Sequence, residues 1–271
     1  GGGLWKTTNA GSEWFNISDD YFKTSSVGAI AVSESDSRII YVGMGEHSPR
    51  GVTTSYGDGV YKSSDAGKTW EHMGLEKSQQ ISRIIIHPDN NNIIYVAAQG
   101  AVNGPTKERG VYKSMDGGKS WKNVLFVNEL SGASELSIDY NNPKVLYATM
   151  WEHQRLPWKV ISGGEGSGVY KSTDGGENWF KIENGLPNEL GKLAISVSRA
   201  NSDKVYLLAE SDSNKRLGGL FVSNNAGESW SRISKYAELT SRSWYYIEVF
   251  ADPNDENTVY VLSARAFRSI D

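Results

Sequence analysis

The chain has 271 residues, enough for one large domain or two small ones with an ample core. Its net charge of -4, with acids and bases mixed along the length, argues against a nucleic-acid partner, and no run approaches the 18 apolar residues of a membrane span. It has no cysteine, which removes disulfides and thiolate metal sites, while 29 glycines and 11% aromatics suit a turn-rich all-β protein.

One motif orders the chain. Gly3-Leu-Trp-Lys-Thr-Thr-Asn-Ala-Gly-Ser-Glu-Trp14 is a loose first copy, and Gly59-Val-Tyr-Lys-Ser-Ser-Asp-Ala-Gly-Lys-Thr-Trp70 is a clear second. Copies follow at 110–121, 168–179 and 219–230, and a sixth begins at Phe267. Each reads as a strand, a tight turn and the start of another strand. Val60 and Tyr61 supply strand propensity. Ser63 and Asp65 can bond back to the backbone, and Gly67 allows a positive φ. The closing tryptophans at 14, 70, 121, 179 and 230 recur every 51 to 58 residues and are expected to pack over the turns.

Between these copies lies a second landmark, a polar turn leading into an apolar strand that carries a tyrosine. It appears at 33–41, 87–95, 139–147, 198–206 and 252–260, each time preceded by a further short strand. A period therefore holds four strands, A to D, and four short antiparallel strands repeated about every 50 residues make a β-propeller blade. The expected order is a C–D pair at 1–17, blades at about 27–74, 81–125, 133–182 and 191–233, and a partial blade at 244–271. No helix is expected. A ring closed from those two ends would contain strand C twice, so a segment of a larger propeller is expected.

Loop lengths divide the faces. The A–B and C–D turns are short and alike. The B–C loops (46–58, 100–109, 151–167, 211–218) and the D–A loops are long and unlike one another, and they mark the expected binding face.

The motif Ser-x-Asp-x-Gly-x-Thr/Ser-Trp, as in Ser63 to Trp70, resembles the Asp-box, or bacterial neuraminidase repeat, of sialidases, xyloglucanases and the sortilin-type propeller. Tyr41-Val-Gly-Met-Gly-Glu46, Ser55-Tyr-Gly-Asp-Gly59, Met150-Trp-Glu152 and Arg242-Ser-Trp-Tyr-Tyr246 extend the resemblance. It is closest to the large secreted bacterial proteins known as sortilin-like or glycosyl hydrolase BNR-repeat proteins. The resemblance implies an extracellular or cell-surface location. Asn9 and Asn225 replace the usual Asp and keep the side-chain acceptor.

Asp65, Asp116 and Asp174 are expected to stabilise turns, not to catalyse. Glu46, Glu152 and Glu210 end B strands, and Asp58 closes the first long loop. Glu46, Asp58 and Glu152 are the candidate catalytic carboxylates for glycoside hydrolysis; a plainer reading ties them to loop amides or to Arg50, Arg155 and Arg216. Arg50, Trp151, Arg155, Trp158, Glu210, Arg242, Trp244 and Tyr245 form the expected ligand-binding face. A sialidase is not expected, because its arginine motif is missing, although Tyr245, Tyr246 and Glu248 lie close together. Glu46–His47 and Glu152–His153 lack a third metal ligand, and no cofactor motif is present. The leading expectation is a non-enzymatic scaffold holding a protein, peptide or glycan partner, within a larger surface assembly in one variant. The alternative is a glycoside hydrolase.

Overall fold

The computed structural model describes residues 2–50, 53–211 and 214–270; positions 51–52 and 212–213 of two long loops, and Asp271 of the sixth motif copy, lie outside the described residues. The chain is all-β. Blade 1 is a two-stranded pair, β1 (Trp5–Lys6) and β2 (Phe15–Asn16). Blade 2 contains β3 (Val27–Val32), β4 (Ile40–Met44), β5 (Val60–Ser63) and β6 (Glu71–His72). Blade 3 contains β7 (Ile81–Ile86), β8 (Ile94–Ala98), β9 (Gly110–Ser114) and β10 (Lys122–Leu125). Blade 4 contains β11 (Ser131–Ile138), β12 (Leu146–Leu156), β13 (Lys159–Ser162), β14 (Gly168–Ser172) and β15 (Phe180–Ile182). Blade 5 contains β16 (Leu193–Val197), β17 (Val205–Ala209), β18 (Gly219–Ser223) and β19 (Ser231–Ser234). Blade 6 contains β20 (Glu248–Ala251), β21 (Val259–Leu262) and β22 (Ala266–Ser269). Every sheet is an antiparallel meander, and the second strand of each full blade is buried along its regular length.

Consecutive blades pack face to face. One apolar layer joins Leu4 and Ile17 of blade 1 to Val42, Tyr61 and Trp70 of blade 2. Further layers join blades 2 and 3 around Tyr41, Ile84 and Val96, and blades 3 and 4 around Tyr95, Leu136 and Met150. Tyr147 packs with Ile195, Leu207 and Trp230 between blades 4 and 5, and Leu208 and Val249 meet between blades 5 and 6.

The Ser-x-Asp turns add a polar latch at the layers between blades 2 and 3, 3 and 4, and 4 and 5. Within the turn of blade 3, the Ser114 hydroxyl donates to Asp116 (2.8 Å) and accepts from the Gly118 N–H (2.8 Å), while Asp116 accepts from the backbone and hydroxyl of Ser120. This geometry sets two successive residues left-handed. The first, at Ala10, Ala66, Gly117, Gly175 and Ala226, has φ between +53° and +75°; the second is the glycine that follows, as expected at Gly67 (φ +86°). The N–H of Gly117 donates to Asn92 in the first turn of its own blade, and that of Gly175 to Lys144 likewise. Their carbonyls face the preceding blade. Tyr41 and Lys62 donate to the Gly117 carbonyl (3.0 and 3.2 Å), Tyr95 and Lys113 to Gly175 (both 2.8 Å), and Tyr147 and Lys171 to Ala226 (both 2.7 Å). Each lysine also lies over the ring of the tyrosine that shares its acceptor.

The first strands of blades 2 to 6 line a central channel. β3, β7 and β11 each carry a bulge there. At two of these bulges, Ser82 donates to the Ala133 carbonyl (2.8 Å) and Ser134 to that of Leu193 (3.1 Å). At the third, Gly28 approaches so closely that an added Cβ would lie 2.1 Å from the Ile81 carbonyl oxygen. Across the channel, Arg83 of blade 3 pairs with Glu135 of blade 4 and with Glu248 of blade 6 (2.8 Å). Arg199 of blade 5 pairs with Glu34 of blade 2 and stacks on Tyr140 (3.4 Å).

Two sequence expectations change. The segment 151–167 is not simply a loop: β12 continues to Leu156, turns at Pro157-Trp158 and returns as β13, because β-favouring residues flank a proline turn. Among the described residues three single 3₁₀ turns occur, at Glu76–Ser78, Lys215–Leu217 and Ala237–Thr240, too short to leave an apolar periodicity in the sequence.

Replacing Tyr147 by Phe deletes one of the two donors to the Ala226 carbonyl while keeping the ring. It should cost about 1 kcal/mol, read as a fall in melting temperature of about 2–4 °C in scanning calorimetry. An unchanged melting temperature would show that Lys171 alone suffices.

Candidate functional site on the long-loop face

The long loops gather at one mouth of the channel and interlock. Asn103 of blade 3 donates to the Tyr56 hydroxyl of blade 2 (2.7 Å), and Gln154 of blade 4 donates to the Asn103 carbonyl (3.1 Å). The Arg155 N–H donates to Val102 (2.6 Å), and the Ser48 hydroxyl donates to the Tyr245 carbonyl (3.0 Å), bringing blade 6 against blade 2. Arg109, fully buried, holds the blade 3 loop by donating to the carbonyls of Ala101, Gly104 and Leu130.

Two cavities open on this face. A cleft of about 650 Å³ is lined by Arg50, Thr53, Thr54, Tyr56, Asn103 and Arg155, with Leu156 and Pro157 at its edge. Next to Pro157, at the tip of the β12–β13 hairpin, Trp158 is 80% exposed. A pocket of about 400 Å³ lies between blades 5 and 6, where Glu210 and Ser211 meet the 3₁₀ turn and the segment Arg242 to Tyr245.

Glu46 and Glu152 are held within their own loops, whereas Asp58 is tied also to the segment that precedes blade 2. Glu46 accepts from Arg50 Nε and from the Ser55 N–H (3.3 Å). Asp58 accepts from the Tyr61 hydroxyl (2.7 Å) and from Thr24 (3.0 Å). Burial, reinforced by this bond, raises the Tyr61 phenol to about 12. Glu152 accepts from the Gly166 N–H (3.0 Å) under the glycine-rich segment 163–167, where a Cβ on Gly164 would collide with its carboxylate.

Two residues expected on the binding face are interior instead. Trp151 is 0% exposed: His153 stacks on its ring (4.1 Å between centroids) and Lys192 Nζ lies 5.1 Å from it. Its indole N–H donates to Ser162 (3.0 Å), which donates to Glu210 (2.6 Å). Trp151 therefore braces the hairpin and offers no platform. Glu210 is also buried, although its carboxylate reaches the pocket wall and accepts from the Lys192 N–H (3.0 Å). Arg50, Arg155 and Trp158 surround the cleft; Arg242, Trp244 and Tyr245 surround the pocket.

His153 is buried and His47 half-buried, and both are held neutral. Burial, with Lys192 and Arg83 nearby, drives His47 to about 3, and burial with Arg109 holds His153 well below its usual value. Among the described residues, no three His, Asp or Glu side chains are placed to hold a metal.

The residues that sequence reasoning passed over are Arg83, Glu135 and Lys192. Arg83 and Glu135 are the lone charges of their inner strands, and both line the channel. Glu248, which shares Arg83 Nη2 with Glu135, is raised to about 7, first by desolvation and then by the neighbouring Glu135 charge. Lys192 is lowered to about 8 by burial.

Asp65, Asp116 and Asp174 lie on the opposite face. Their hydrogen bonds, led by Thr69, Ser120 and Asn178, hold each carboxyl at about 2. Asn225 accepts from the Ser229 N–H (3.0 Å) and donates to its hydroxyl (2.9 Å), and Asn9 accepts from the Glu13 N–H (2.9 Å).

Blades of this order, with a loop face of clefts and an ion-paired channel, define a β-propeller segment. The profile of the family described as "Sortilin, neurotensin receptor 3" matches residues 2–131 and, overlapping, 58–156, together more than half of the chain. The chain belongs to the sortilin family. Curated relatives include a xyloglucanase of Paenibacillus sp, 20% identical over 98% of this chain and 27% of its own length. A xyloglucanase of Acetivibrio thermocellus is 25% identical over 67% of this chain and 23% of its own. One from Hypocrea jecorina is 23% identical over 86% of this chain and 30% of its own. The chain thus spans about a quarter of the length of these relatives. Among solved structures, an ancestral GH74 enzyme superposes with TM-score 0.66 at 16% identity, covering all of this chain and 32% of that one. A Niastella koreensis GH74 enzyme superposes at 0.61 with 18% identity, over all of this chain and 49% of that one. These likenesses establish the fold. The expectation of a non-enzymatic scaffold is corrected here: the curated relatives that match are xyloglucanases.

Because Glu248 titrates above the usual carboxyl value of 4.5 in the folded chain, its contribution is full below 4.5 and is lost as pH rises toward about 7. The Asp65, Asp116 and Asp174 contribution runs the other way, lost as pH falls from 3.8 toward about 2. Glu248→Gln should remove the first component, so the melting-temperature difference between variant and parent should change between pH 4.5 and 7 and be flat below 4. A constant difference across that window would overturn the assignment.

Proposed function

We propose that the chain is part of a secreted glycoside hydrolase of the xyloglucanase type, with the polysaccharide lying across the long-loop face. The observation that carries the reading is the agreement of the curated relatives, one of which aligns over 98% of the chain. The cleft between blades 2 and 4 has suitable chemistry. Arg50, Tyr56, Asn103 and the threonines offer donors and acceptors to sugar hydroxyls, and exposed Trp158 offers a flat apolar surface for a pyranose ring. An extracellular location goes with a polymeric substrate.

Hydrolysis of a glycosidic bond needs two carboxyl groups, about 5–10 Å apart depending on the stereochemical outcome. Glu135 and Glu248 share one Arg83 nitrogen and lie too close together to admit a sugar between them. Glu46 is assigned the basic role: Arg50, which lines the cleft, and the Ser55 amide orient its carboxylate. Asp58 and Glu152 are the candidates for the acid. Asp-box turns supply the rigid opposite face.

The test is release of reducing ends from xyloglucan and from cello-oligosaccharides by the full-length gene product. Glu46→Gln should lower kcat by about 10²–10⁴-fold with KM little altered. Full activity in that variant would remove Glu46 from the mechanism, and no turnover of either substrate by the parent would overturn the function.

A further inference from the structure

The pocket between blades 5 and 6 has a polar interior that the protein leaves incomplete. Ser211 is 1% exposed, lines the pocket, and its hydroxyl has no hydrogen-bond partner. The indole N–H of Trp244, which also lines the pocket, is buried and likewise without a partner. Leaving two such groups unpaired carries a real cost, so an occupant is expected to satisfy them. The cleft between blades 2 and 4 is lined by a different set of residues.

The charges around the pocket narrow the occupant. Two carboxylates, Glu210 and Glu238, are part of its lining and oppose an anion. Arg242 and the two unpaired donors oppose an ammonium group. A hydroxyl both accepts and donates, so it can take the Trp244 N–H and give its own proton to Ser211 or Glu210. A sugar ring carries neighbouring hydroxyls, one for each of the two unpaired groups. The aromatic rings of Trp244 and Tyr245 supply apolar surface for the C–H face of such a ring. The volume, about 400 Å³, accepts one sugar residue and excludes a long chain segment.

We propose that this pocket is a binding site for a single neutral sugar residue, held through a vicinal diol by Ser211, Trp244 and Glu210. It rests on the glycan reading only for the choice of sugars tested. Its most direct meaning is capture of a branch or chain end while the main polymer occupies the cleft.

The experiment is titration of the 271-residue chain with D-glucose, D-xylose and D-galactose, followed by ligand-observed saturation-transfer NMR and calorimetry. At least one sugar should bind saturably with Kd on the order of millimolar, a range normal for a single ring making few contacts. Ser211→Ala and Trp244→Phe should each weaken binding about tenfold, with melting temperatures showing that both variants remain folded. Phe180→Ala, exposed on the outer strand of blade 4 and away from both cavities, should leave the monosaccharide affinity unchanged. Absence of saturable binding by all three sugars, or equal affinity in both pocket variants, would overturn the proposal and leave ordered water as the occupant. Monosaccharide binding without polysaccharide turnover would keep this site and overturn the hydrolase reading; turnover without monosaccharide binding would do the reverse.

Discussion

The structure depends on the first of two successive left-handed residues in the Ser-x-Asp turns of blades 3, 4 and 5. Its N–H is spent within its own blade, on the neighbouring short turn, and its carbonyl is turned outward to the preceding blade. A tyrosine and a lysine from two different strands meet at that oxygen, so the contact fixes translation and rotation of one sheet against the next. Apolar layers such as the one around Tyr95 and Met150 provide most of the attraction but little direction. The latch supplies the direction. Tryptophans reinforce it: Trp70 and Trp121 donate to the Ile17 and Met73 carbonyls of the preceding blade (2.8 and 2.7 Å), whereas Trp14 and Trp179 bond within their own turns.

With one face fixed in this way, the other is free to vary. The B–C segments differ in kind as well as in length: an ion-paired loop at Glu46, a loop wrapped on the Arg109 guanidinium, and a β-hairpin ending in Trp158. Each builds a different wall, and the two cavities have different characters as a result. Between them lies the channel charge cluster. There burial opposes ionisation of Glu248 and Lys192 alike, while Arg83 remains charged between two carboxylates.

Most of the fold was legible in the sequence because its signals are local and repeated. Ser-x-Asp spacing, a tyrosine near the start of each second strand, and polar turns at a fixed offset gave strand order and faces. The site was less legible because it depends on contacts between distant loops. Trp151 reads as an exposed aromatic next to a variable segment, yet the hairpin it begins folds back and encloses it between His153 and Lys192. Ser211 carries no signal at all until the segment 237–245 is brought over it. Glu46, Asp58 and Glu152 share strand-end positions, but their partners are set by loop paths that periodicity does not encode.

The latch has a further consequence. Donors always come from one blade and the acceptor from the blade after it, so the array has a sense, like a head-to-tail polymer. Nothing in such a joint counts its copies. The curvature that decides how many blades complete a circle must come from elsewhere, from the tilt of the apolar layers and from cross-axis ties such as Arg199 to Glu34. Blade number is then a separately adjustable trait, which a lineage could change by duplicating or deleting a single repeat without redesigning any joint.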